Sequence, residues 1–259
     1  MIKYSKPNKN PRIAIVHDFL NQMGGAERVV AVLHKMFPNA PIYTTIVDRA
    51  VLADGLQHAD IRTTWMQRIP LIQKTFKWFF LLYPLAIKSI QLQEYDLVIS
   101  SSSAFAKGVQ IPDHTFHVCY CHTPMRFAWS FDQYVEGTKI PQALKWLSKR
   151  MMGLLRKWDL QTSEGVDRFI ANSSEVQQRI QRIYHRDSEV IFPPVNISRF
   201  KEKNENTEKI LNRENNTNST ALENGSYFLI VSRLVSYKRI ELAVEACTKH
   251  GIPLVIIGD

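Results

Sequence analysis

Residues 12–36, RIAIVHDFLNQMGGAERVVAVLHKM, read as a single strand–loop–helix unit. Arg12 to His17 is a short apolar run, and Val29, Leu33 and Met36 then fall on one face of a helix that begins at the paired glycines. Gly24 and Gly25 would let the backbone approach a ligand closely where strand passes into helix. The spacing is not Gly-x-Gly-x-x-Gly, and no acidic residue closes the second strand. Two readings therefore stay open: a tight turn that binds nothing, and an anion site at the helix N-terminus.

Apolar strand-like runs alternate with helical patterns for most of the length, so the loop stands at the carboxyl edge of a parallel sheet, where ligands of open α/β folds bind. Strands are expected near residues 12–17, 41–46, 61–64, 96–100, 116–121, 167–171 and 188–192, with helices near 26–37, 71–92, 140–163 and 174–184. Residues 1–200 are thus one Rossmann-like domain. Residues 201–226 are rich in Asn, Glu and Ser with little to bury, and read as a linker or insertion. A new strand, helix and strand occupy 227–259. Two strands and one crossover helix cannot cover both faces of a sheet, so this piece is not expected to be stable alone.

The net charge of +9 is carried by residues 1–200, which favours anionic partners. Three cysteines, Cys119, Cys121 and Cys247, are too few and odd in number for a disulfide framework, which points to a reducing compartment. No apolar stretch follows the basic N-terminus, and the run Trp78 to Ile87 is well short of the ~20 residues of a spanning helix. The expected location is cytoplasmic. Basic residues are scattered and aromatics sit in apolar runs, which argues against nucleic acid as a partner.

Two further segments carry chemistry. Phe116 to Cys121 (FHVCYC) is strand-like and runs into His122-Thr123-Pro124-Met125-Arg126, so His122 also stands at the carboxyl edge. Pro124 biases Thr123 toward extended backbone. His122 is either a satisfied structural histidine or a ligand contact. Cys119 and Cys121 share a strand face and read as buried thiols; with His122 they fall short of a tetrahedral metal set. In the last segment, Ser232-Arg233-Leu234-Val235-Ser236-Tyr237-Lys238-Arg239 lies between the strand Tyr227–Val231 and a helix carrying Ile240, Ala243, Val244 and Cys247 on one face. Arg233 and Lys238 are either a solvated basic turn or a clamp for paired phosphates at a helix N-terminus.

Taken together and in this order, Gly24-Gly25-Ala26-Glu27, His122-Thr123-Pro124-Met125-Arg126, Ser232-Arg233-Leu234-Val235 with Tyr237-Lys238-Arg239, and Ile256-Ile257-Gly258-Asp259 resemble the retaining glycosyltransferases of family 4. The subgroup that shares the His-Thr-Pro-Met-Arg block comprises polysaccharide-assembly mannosyltransferases. The resemblance implies a GT-B architecture of two Rossmann-like α/β domains, with the acceptor, a glycan or lipid-linked sugar, on the first. A nucleotide-diphosphate sugar would sit on the second, without metal or other cofactor. It implies that His122 contacts the transferred sugar, that Gly24 and Gly25 approach the donor diphosphate, and that Arg233 and Lys238 neutralise it as it leaves. Arg126 would contact substrate.

The family also carries a Glu-x7-Glu motif beyond the Ile-Ile-Gly-Asp strand, and this chain ends before it. The expectation is a C-terminally truncated second domain and a chain inactive by itself. The alternative is a non-catalytic acceptor-binding or regulatory module. Residues 71–92 and 143–158 mix Trp, Phe and Leu with Lys and Arg, which fits either core-facing helices with basic outer faces or a peripheral contact on the inner face of a membrane.

Overall fold

The computed structural model describes residues 10–131, 142–195, 197, 227–232, 234 and 238–258. Two compact units divide the chain, 1–195 and 196–259. The 201–226 segment, Arg233 and Asp259 lie outside the described residues.

The first unit is α/β, with a seven-stranded sheet in the order β3-β2-β1-β4-β5-β6-β7. The strands are β1 (Ile13–His17), β2 (Ile42–Thr44), β3 (Ile61–Thr63), β4 (Leu97–Ser102), β5 (Phe116–Cys121), β6 (Arg168–Ala171) and β7 (Ser188–Val190). Every pairing is parallel. Strand order reverses between β1 and β4, which makes their carboxyl ends the topological switch point, the place where open α/β sheets bind ligands.

Alternation along β1 sorts the core into two layers. Ile15 packs with Val30 of α1 (Gly25–Met36) and with Ile42 on one face. Ala14 and Val16 pack on the other face against residues 72–109 and against Met152 and Leu155 of the long helix α5 (Gln142–Glu164). A third cluster joins Cys119, Cys121 and Phe169 to Val176, Ile180 and Tyr184 of α6 (Ser174–Tyr184). Both cysteines are buried as alternation required, and the hydrogen bond between them, with burial second, pushes the Cys121 thiol up.

Two sequence expectations fail in detail. Met36 is exposed, because the buried side of α1 runs through Val29 and Val30. Residues 71–92 are not one helix. Leu71 adopts a left-handed conformation before α2 (Ile72–Thr75), a 3₁₀ turn spans Phe76–Phe79, and α3 (Tyr83–Lys88) starts anew with Pro84 in its first turn. Proline lacks the N–H that a continuing helix requires and is tolerated only near a start, which places the break.

The second unit contains β8 (Phe228–Val231), α7 (Ile240–His250) and β9 (Leu254–Ile257), with the strands parallel. None of its described residues is buried; Phe228, Val231 and Ile257 are more than half exposed.

Candidate active site

The carboxyl edge at the switch point is held by one carboxylate. Asp18 leaves β1 fully buried and accepts four backbone N–H bonds, from Ser103 (2.6 Å) and Ala104 (3.1 Å) on Oδ2 and from Phe105 (2.7 Å) and Ala106 (2.6 Å) on Oδ1. Its carbonyl accepts from the Thr45 amide at 3.3 Å and from the Thr45 hydroxyl. The ends of β1, β2 and β4 are thereby tied together. Burial, and then the Asp18 charge, push the Tyr83 phenol up.

His122 sits on this frame. Its amide donates to the Ser102 carbonyl (2.9 Å) and its Nε2 lies 2.8 Å from Ser101 Oγ. The Ser101 carbonyl in turn accepts from Nδ1–H of the buried His17 at 2.8 Å. The His122 ring stands edge-on to Tyr120, with centroids 5.2 Å apart. Burial, with a smaller contribution from His17, lowers its pKa to about 3, so the ring is a neutral imidazole near pH 7. With Nε2 committed to Ser101, Nδ1 is the nitrogen left to meet a ligand. Such a group suits hydrogen bonding to a sugar hydroxyl and is a poor proton donor. His117, by contrast, lies inside the sheet on Ser100 Oγ (2.8 Å), with its pKa lowered by burial to about 4, and is structural.

The segment after His122 is anchored to α5. The short helix α4 (Arg126–Trp129) carries Arg126 exposed at its start. Trp129 Nε1 donates to Asp159 Oδ2 (2.7 Å), and Arg156 Nε donates to the Ala128 carbonyl (2.7 Å). Asp159 is itself fully buried, paired with Lys107 Nζ at 2.8 Å, and accepts from Tyr184 OH at 2.9 Å. Nothing in the sequence pattern marked Asp18, Ser101, Lys107 or Asp159; their partners lie tens of residues away.

Gly24 and Gly25 share the carboxyl edge with His122. Gly24 is the N-cap of α1 in extended backbone, and a Cβ there would crowd the Glu27 carboxylate. A Cβ at Gly25 would meet no atom of the described residues within 4 Å, so their packing does not demand glycine there. Glu27, almost fully buried in the first turn, already occupies the positive end of the helix, and an anion approaching this loop would share that end with it. In the second unit, Lys238 is exposed in the turn two residues ahead of α7, which starts at Ile240 rather than at the lysine. Among the described residues no group of three His, Cys, Asp or Glu could hold a metal ion, and no helix is long and apolar enough to cross a membrane.

The family model of Glycosyltransferase Family 4 matches residues 23–199. No curated protein matches the chain. Among solved structures, the chain is similar to Anabaena Alr3699/HepE in complex with UDP, at 16% identity and TM-score 0.54, covering 92% of this chain and 57% of that one. It is similar to the same protein in complex with UDP and glucose, at 15% identity and TM-score 0.54, covering 95% and 61%. The likeness is one of fold, the GT-B type. The chain spans about three-fifths of the length of these structures.

Proposed function

The chain belongs to glycosyltransferase family 4, and from that premise we propose that it serves the transfer of a sugar, mannose by its sequence resemblance, from a nucleotide-diphosphate sugar to a glycan or lipid-linked acceptor with retention. The observation that carries this reading is the His122 imidazole at the carboxyl edge of the sheet, with Nε2 2.8 Å from Ser101 Oγ on β4, one of the two strands of the switch point. An uncharged ring so placed can bond a hydroxyl of the transferred sugar without drawing a proton from it.

In this reading the first domain, residues 1–200, receives the acceptor. Residues 227–259 begin the nucleotide-sugar domain, with 201–226 as the connection. Gly24 and Gly25 approach the donor diphosphate, and Arg126 contacts substrate. Arg233 and Lys238 neutralise the departing diphosphate, whose charge grows in the transition state and rewards cations already in place. The UDP and glucose bound by the Anabaena protein support a nucleotide sugar as the donor. The exposure of Phe228, Val231 and Ile257 supports a second domain that needs further strands and helices over both faces, so transfer by these 259 residues alone is expected to be undetectable.

The experiment is a transfer assay of the complete reading frame against a panel of UDP- and GDP-sugars, with the anomeric configuration of the product read by NMR. Transfer from one donor with retained configuration is expected. Acceptor binding without transfer from any donor would instead favour a non-catalytic module.

A further inference from the structure

Between Asp60 and Glu94 the chain carries no acidic residue, whereas Arg68, Lys74, Lys77 and Lys88 lie within that span. The span between Glu136 and Asp159 is likewise free of acids and holds Lys149, Arg150 and Lys157 among its cations. Both spans pack on the same face of the sheet through one aromatic chain: Tyr83 stacks on Phe105 at 4.7 Å, and Phe105 meets Trp158 at 5.9 Å.

What these spans leave outside is apolar and basic. Leu71, Lys74, Trp78, Leu81, Leu85 and Lys88 are all exposed, spread through α2, the 3₁₀ turn and α3. The core is satisfied from the same segment by Ile72, Tyr83, Ala86 and Ile87. The exposed set is thus not a packing requirement: Trp78 is 84% and Leu85 60% exposed. On α5 the same mixture recurs in Trp146, Arg150, Leu154 and Lys157, all exposed, with the Arg150 guanidinium 5.1 Å above the Trp146 ring.

Single exposed leucines are ordinary, but tryptophan and leucines set among lysines, and no acid among them, form the pattern that lies in a headgroup layer. A nucleic acid would be met by the cations alone; the leucines offer nothing to phosphate or base. We propose that this face docks the protein on an anionic lipid surface, with Trp78 and Leu85 entering the boundary between headgroups and acyl chains and Lys74 and Lys88 at the lipid phosphates. Docking stands independently of sugar transfer.

The test is co-sedimentation of the 259-residue chain with vesicles of phosphatidylglycerol and phosphatidylcholine, against phosphatidylcholine alone, at low ionic strength. Binding to the anionic vesicles only is expected, weakened about five-fold by each of Lys74→Gln and Lys88→Gln and further by salt. The Trp78→Ser/Leu85→Ser variant is expected to bind on the order of ten-fold more weakly. Its substituted side chains lie outside the core, and far-UV circular dichroism verifies the fold. Absence of vesicle binding, or full binding by the Trp78→Ser/Leu85→Ser variant, would overturn the proposal. If only the lysine variants lose binding and an oligonucleotide displaces the vesicles, the face is a general polyanion surface and lipid docking is rejected. The vesicle assay needs no sugar donor, so its failure leaves the transferase reading untouched.

Discussion

Asp18→Asn changes one atom type and almost no volume, yet it strikes the frame that carries the candidate site. The carboxylate accepts two N–H bonds on each oxygen, all between 2.6 and 3.1 Å. An asparagine keeps one acceptor oxygen and turns an NH₂ toward the other pair of amides, so two bonds are lost and two buried donors face a third. Hydrogen bonds to a charged acceptor contribute about 1.5–3 kcal/mol each, which sets the expected loss at about 3–6 kcal/mol. That is a large share of a stability of about 5–15 kcal/mol. Urea unfolding followed by fluorescence and circular dichroism measures it. The Ser103–Ala106 loop directly follows β4, the strand that carries Ser101, so a loosened loop should also admit water to His122 and raise its pKa from about 3 toward its ordinary value, visible by NMR titration. A loss below about 1 kcal/mol with an unmoved His122 titration would refute the reasoning.

Acid sensitivity follows from two histidines whose folded pKa values are depressed, His122 to about 3 and His117 to about 4. The unfolded rings bind protons below about pH 6.5, so stability is full above that value and falls as pH drops, by about 1.4 kcal/mol per pH unit for each ring while the folded form stays neutral. His122→Asn should remove about half of that slope in urea melts between pH 6 and 4. Lys107→Met leaves the Asp159 carboxylate buried without its cation and should cost about 3–5 kcal/mol; adding Asp159→Asn should recover part of it in a double-mutant cycle. Gly108→Ala should cost about 1–3 kcal/mol in thermal melts, because the new Cβ would run into the Trp158 ring.

The positions of all seven strands of the first sheet were legible, because the inner strands of a covered parallel sheet are short apolar runs bounded by turn residues, while the more exposed edge strands β3 and β7 keep one apolar residue each, Ile61 and Val190. The break at Pro84 was written in the residue itself but masked by apolar neighbours on both sides, where composition resembled one long helix. Within the site, His122 could be placed at the sheet edge from the strand before it. Its neutral state could not, since that arises from burial and, to a smaller extent, from His17 on another strand. Asp18 carried no signal of its own, since the four amides that it binds lie 85 to 88 residues away. The acid-free span was visible as composition; that Trp78 and Leu85 face outward while Tyr83 and Ile87 face inward needed the fold.

The central claim is that His122, held by Ser101, meets the transferred sugar. Its most direct test is kcat/KM for sugar transfer by the complete reading frame, comparing wild type with His122→Ala and Ser101→Ala. Loss of a preorganised contact to the reacting sugar predicts a fall of about 10²–10³-fold for His122→Ala, and a smaller one, about 10-fold, for Ser101→Ala. Wild-type transfer rates in a folded His122→Ala protein would contradict the account.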